Sequence, residues 1–144
     1  MHTLHLSEEL VRKFDKLGPR YTSYPTADRF HTGFDANSYY RYLEERSTRA
    51  NNGLDNPPLS IYVHLPYCES LCYFCACNKI ITRDHSRVDE YLRYLDKEMA
   101  LVAARIGTHP NARKVVQVHL GGGSPTFFTA DELRRLMTML RQHF

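Results

Sequence analysis

The segment YCESLCYFCACNK, residues 67–79, holds all four cysteines of a 144-residue chain: Cys68, Cys72, Cys75 and Cys77. Thiolates are soft ligands for zinc and iron. Clustered in this way, in a chain whose charged start is not expected to be a secretory leader, they point to a metal or catalytic site rather than to disulfides. The spacing C-x3-C-x2-C-x-C bears on which site. Structural zinc usually takes two short cysteine pairs separated by a longer loop, so that a tetrahedron closes. Here all four cysteines fall within ten positions, with no longer loop to separate two pairs. The four-cysteine ferredoxin pattern, C-x2-C-x2-C with a distant fourth cysteine, does not match either. A third arrangement places Cys68, Cys72 and Cys75 on a 4Fe–4S cluster and leaves one iron without a protein ligand. An open coordination position is what lets a metal site bind a reacting molecule.

The elements around these thiols follow from patterning. Residues 59–65 alternate Ile61, Val63 and Leu65 with Tyr62 and His64, and Pro66 ends the strand. The cysteine segment comes next, as a loop. Val88, Tyr91, Leu92, Leu95, Met99, Val102 and Ile106 then keep helical spacing, and Gly107 supplies the stop. A second strand over 114–120 is closed by Gly121, Gly122 and Gly123. Thr129 and Glu132 form a capping box for a helix carrying Leu133, Leu136, Met137 and Leu140. Upstream, Ser7 caps a short helix with Leu10, Val11, Phe14 and Leu17 on one side, stopped by Gly18. Residues 19–34 form a long aromatic loop, 36–49 a helix, and 51–58 a loop.

The fold class expected is α/β. An N-terminal helical and loop segment (1–58) precedes two β-α units (59–144) whose strands are parallel, with a right-handed crossover. Two parallel strands form neither a closed barrel nor a sheet covered on both faces. The expectation is therefore the N-terminal piece of a larger α/β protein, inactive alone.

Composition narrows the class. The net charge is +3, with 42% hydrophobic and 24% charged residues. Basic residues are scattered, which argues against nucleic acid. No stretch approaches the ~18 apolar residues of a membrane span. The charged start MHTLHLSEELVRKFDKLG lacks the apolar core of a secretory signal, so a cytoplasmic location is expected.

C-x3-C-x2-C after a first strand resembles the signature of radical SAM enzymes, and GGGSPT (121–126) after the second strand resembles their glycine-rich turn. Four segments, PRYTSYPT (19–26), YVHLPYC (62–68), CYFCACNKIITR (72–83) and HLGGGSPT (119–126), are similar to the oxygen-independent coproporphyrinogen III oxidase family. The resemblance implies a partial (β/α) barrel. It implies Cys68, Cys72 and Cys75 as ligands of a 4Fe–4S cluster, with Cys77 not a ligand. It implies Tyr62, Phe74, Gly122, Gly123 and Ser124 as contacts to S-adenosylmethionine (SAM), of which the family holds two molecules. Ser124 stands where the family usually has Thr, and Leu120 where an aromatic is common. The implied reaction is anaerobic oxidative decarboxylation of two propionates of coproporphyrinogen III, giving protoporphyrinogen IX for haem, in a protein that is monomeric at full length and needs an electron donor. Arg20, Arg29 and Arg83 are candidates for the substrate carboxylates. Two alternatives stand beside this one. One is a haem-trafficking relative, which generally lacks Cys77 and the PRYTSYPT lead-in. The other is a non-enzymatic metal-binding module.

Overall fold

The computed structural model describes residues 7–15, 26–73 and 75–144, and the chain divides into two compact units, 1–34 and 35–144. Leu17, Gly18, Arg20, most of PRYTSYPT and Phe74 lie outside the described residues. In the first unit α1 (Glu8–Phe14) starts as expected, with the Ser7 hydroxyl accepting from the Leu10 amide at 3.2 Å. A single 3-10 turn follows at Ala27–Arg29.

The second unit is a mixed α/β structure built on parallel strands. Asp35 caps α2 (Ala36–Asn51) through the Ser38 amide at 2.8 Å. Next come β1 (Leu59–Leu65), the two-residue strands β2 (Tyr67–Cys68) and β3 (Ile80–Ile81), and α3 (Ser86–Ile106). A short α4 (Pro110–Arg113), β4 (Val115–Gly122), a 3-10 turn (Pro125–Phe127) and α5 (Ala130–His143) complete the order. β1 pairs with β4 in parallel, Tyr62 opposite His119 and Leu65 opposite Gly122, with one register shift between Leu59 and Ser60. β4 runs two residues beyond the expected 120. Gly121 and Gly122 still pair, because a parallel ladder needs backbone groups and no side chain.

The alternation in β1 sorts its side chains by face. Val63 and Leu65 are buried with Val88 and Leu92 of α3, Phe127 and Phe128, and Leu136, Met139 and Leu140 of α5. Leu65, Val88, Leu92 and Leu136 are wholly enclosed, each contributing about 1.5–3 kcal/mol. The other face carries Ser60, Tyr62 and His64 beside Gln117, His119 and Gly121 of β4. It is polar, and Tyr62 is exposed on it.

Helix ends fix where the strands leave the sheet. Gly107 takes φ +82° at the end of α3, as its stop signal required. The Arg113 guanidinium then donates to Gly107 O, to Ala103 O at 3.0 Å and to His143 O at 3.0 Å. One side chain thus reaches carbonyls at the C-terminal ends of both α3 and α5, where most carbonyls lack an intrahelical donor; Ala103 O also accepts from Gly107 N at 3.1 Å. α5 opens on the expected capping box, with Thr129 N to Glu132 Oε2 at 2.7 Å and Glu132 N to Thr129 Oγ1 at 3.3 Å. No described helix is long and apolar enough to cross a membrane.

Candidate functional site: a cysteine loop against a glycine turn

Pro66 interrupts the chain between β1 and β2, and the backbone re-pairs at once. Ile80 N donates to Pro66 O at 2.7 Å and Thr82 N to Cys68 O at 2.9 Å. Residues 69–79 are therefore a loop closed at its base by the β2–β3 pair, located at the C-terminal end of β1. Within it, Cys75 N donates to Cys72 O at 3.2 Å, an i to i+3 turn that separates the second and third thiols. All four cysteines are free thiols. Cys68 is buried, Cys75 is half-buried, and Cys72 and Cys77 are exposed. The expected irregular loop is present, but its first cysteine is held in a two-residue strand.

The glycine turn at the end of β4 closes over that strand. Gly123 N donates to Leu65 O at 2.7 Å and Ser124 N to Tyr67 O at 2.9 Å. The Ser124 hydroxyl lies 3.8 Å from the Cys68 sulfur. Each glycine is small for its own reason. A Cβ on Gly121 would lie 2.8 Å from the Tyr62 ring, and one on Gly122 2.7 Å from the His64 ring, where φ is also +101°. A Cβ on Gly123 would lie 2.5 Å from Tyr67 O and 2.9 Å from Leu65 O. The third glycine thus lets two backbones touch, and the first two make room for side chains on the polar face.

On that face the Tyr62 ring stacks on His119, with centroids 5.7 Å apart and planes at 16°. The Tyr62 hydroxyl is 3.1 Å from His64 Nδ1, and His64 Nε2 is 2.7 Å from Asn78 O. Below, the Tyr91 hydroxyl donates to His64 O, and burial pushes that phenol up to about 12, with Glu98 adding to the rise. Tyr67, donating to Arg87 O at 3.2 Å, is raised too, chiefly by burial.

The structure brings together Cys68, Gly122, Gly123 and Ser124 at the C-terminal ends of the two parallel strands, with Tyr62 at the middle of β1 and linked to them through His64. Cys72 and Cys75 sit farther out on the loop. Among the described residues, no three His, Cys, Asp or Glu side chains gather closely enough to hold a metal ion. Arg29 pairs with Asp28 at 3.6 Å, and Arg83 is exposed with no ion pair among the described residues. His64, which the sequence pattern marked only as a strand residue, joins the site, and so does Gly121, expected as part of the glycine-rich turn but not as a contact residue. Their signal was positional only: His64 shares a strand face with Tyr62, and Gly121 opens the glycine run.

Comparison with known proteins places the chain among relatives. No protein-family model matches the chain. The oxygen-independent coproporphyrinogen III oxidase of Mannheimia haemolytica is 44% identical over 135 residues, which cover 94% of this chain and 84% of that protein. The chain belongs to the oxygen-independent coproporphyrinogen III oxidase family. Another member, from Pseudomonas aeruginosa, is 42% identical over 143 residues, covering 99% of this chain and 29% of its own length. The chain therefore spans under a third of that family member. A solved structure, coproporphyrinogen III oxidase from Escherichia coli, described as a radical SAM enzyme, superposes with a TM-score of 0.71 at 40% identity. It covers 86% of this chain and 26% of the Escherichia coli chain, so the α/β unit matches part of that family fold.

Proposed function

We propose that this chain supplies the cluster- and SAM-binding start of an enzyme that oxidatively decarboxylates coproporphyrinogen III without oxygen, giving protoporphyrinogen IX. Residues 59–144 are then the first two β-α units of a partial (β/α) barrel, preceded by the segment 1–58. The observation that carries this reading is the cysteine loop closed at the C-terminal end of β1 and roofed by the glycine turn of β4. Ligands bind at that end of strands in α/β folds.

The donor chemistry suits a 4Fe–4S cluster: three free thiols, one buried beneath Ser124 and two toward solvent. The fit rests on donor type and position, since the described thiols are not drawn together in advance. Cys68, Cys72 and Cys75 would hold the cluster. Tyr62, Phe74, Gly122, Gly123 and Ser124 would contact SAM, with a second SAM near Gly123 and Ser124. When bound, cluster and SAM would supply the radical chemistry that takes a hydrogen from the propionate β-carbon; carbon dioxide would be released and the remaining electron would pass to an acceptor outside this chain.

The chain's own groups set the limits of that contact. The amides of Gly123 and Ser124 already donate to Leu65 and Tyr67. These residues would therefore meet the ammonium end of SAM as acceptors, through carbonyl or hydroxyl oxygen. The exposed Arg83 remains a candidate for a substrate carboxylate. A separate donor must deliver the electron that reduces the cluster, and the site is proposed for a cytoplasmic, monomeric full-length protein.

Anaerobic reconstitution with iron and sulfide tests the reading. Cys68→Ala, Cys72→Ala and Cys75→Ala should each abolish the iron–sulfur absorbance, and Cys77→Ala should retain it. Equal loss from all four substitutions would overturn the three-plus-one assignment.

A further inference from the structure

Asn78 O leaves the His64 imidazole little choice of proton position. A carbonyl oxygen only accepts, so Nε2, 2.7 Å away, carries a proton and donates. In the neutral ring Nδ1 is then a lone pair, and the Tyr62 hydroxyl 3.1 Å away donates to it. The ring is held on its third side by the glycine turn, where the place of a Gly122 side chain is filled by ring atoms. Asn78 lies on the returning limb of the cysteine loop, next to Cys77 and two residues before Ile80, whose amide closes the loop base. Among the described residues, this is the single side-chain hydrogen bond onto the backbone of residues 69–79.

We infer that His64 is a positioning residue: its Nε2–H fixes the returning limb of the cysteine loop before any cluster is present. Asn78 O sets the tautomer, the Tyr62 hydroxyl donates to the remaining lone pair, and the glycine turn sets the ring's place. The inference rests on the proposed cluster site for its purpose, but the contact itself belongs to the apo chain. β1, the cysteine loop and the β4 turn are thereby joined through one imidazole. The loop that must wrap a cluster is limited in conformation at its far limb as well as at its base.

Amide hydrogen exchange of the apo chain by NMR reads this directly. His64→Gln keeps an N–H donor close to the Nε2 position, and His64→Leu removes it. Exchange at Ile80 and Thr82 should accelerate about tenfold in His64→Leu, the loss of one net hydrogen bond. It should stay within about twofold of wild type in His64→Gln. The ladder amides of Val63 and Leu120 serve as the folding control. In the wild-type protein, His64 15N shifts should show a protonated Nε2 and a pyridine-like Nδ1. A protonated Nδ1 beside a bare Nε2 in the neutral ring, or equal acceleration in the Gln and Leu variants, overturns the inference. Unchanged exchange in both variants also overturns it. Reconstitution separates the two readings. If wild type takes up no cluster while the exchange pattern holds, the cluster assignment fails and the positioning role stands. If the cluster forms and the exchange pattern fails, the reverse follows.

Discussion

Gly123→Ala tests the contact on which the site is built. Gly123 has no positive φ, so the substitution meets a purely steric obstacle. The new Cβ would start 2.5 Å from Tyr67 O, and Cβ contacts below 3.0 Å are essentially never found. Both near atoms are backbone, so no flexible side chain gives way. The turn must instead lift by roughly half an ångström. That movement falls on two hydrogen bonds, Gly123 N to Leu65 O at 2.7 Å and Ser124 N to Tyr67 O at 2.9 Å. Two weakened backbone bonds or an equivalent overpacking strain cost about 2–3 kcal/mol. The stiffer unfolded chain returns about 0.4–1 kcal/mol. A net destabilisation of about 2 kcal/mol is expected in urea unfolding, with an unchanged slope. Gly53→Ala is the contrasting case, because a Cβ there meets nothing within 4 Å and only φ +70° opposes it. It should cost about 1 kcal/mol. If Gly123→Ala proves neutral or stabilising, the close approach of turn and strand is not a constraint on the fold.

Three further outcomes follow from the packing. Arg113→Met removes three donors from carbonyls of α3 and α5 and should lower stability by about 2–4 kcal/mol; a change below about 0.5 kcal/mol in urea would show that water replaces the guanidinium. Thr129→Ala removes the arm of the α5 capping box in which the Thr129 hydroxyl accepts from Glu132 N, with an expected loss of about 1 kcal/mol by thermal unfolding. Tyr91, raised to about 12 chiefly by burial, keeps its proton in the folded chain after the unfolded chain has lost it near pH 10. Its contribution is complete below pH 10 and disappears between pH 10 and 12. Alkaline titration of stability should show that decline, and Tyr91→Phe should flatten it.

Much of this arrangement is legible in the sequence where a side-chain pattern reports the element. The alternation in 59–65 marked β1 at both ends, and Gly107, Thr129 and Glu132 marked helix ends that the structure shows with their expected hydrogen bonds. β2, β3 and α4 were not legible. Two-residue strands and a four-residue helix are too short for any period to develop. The end of β4 was misplaced because a glycine run reads as a turn, although its backbone continues the ladder. The cysteine spacing announced the candidate site. His64 stayed hidden because its partner is the carbonyl of Asn78, and a backbone acceptor leaves no mark on residue type.

The closed base of the cysteine loop also sets an order of events. Its bonds join residues close in sequence, and His64 reaches Asn78 across 14 positions. Ser124, which roofs Cys68, lies 56 positions away. Local contacts form early and distant parallel pairing forms late. At about 5–20 residues per second, the glycine turn leaves the ribosome roughly 3–10 s after the loop. For those seconds the thiols stand without a roof, and this interval is when they are most open to oxidants and to metal ions of the wrong kind.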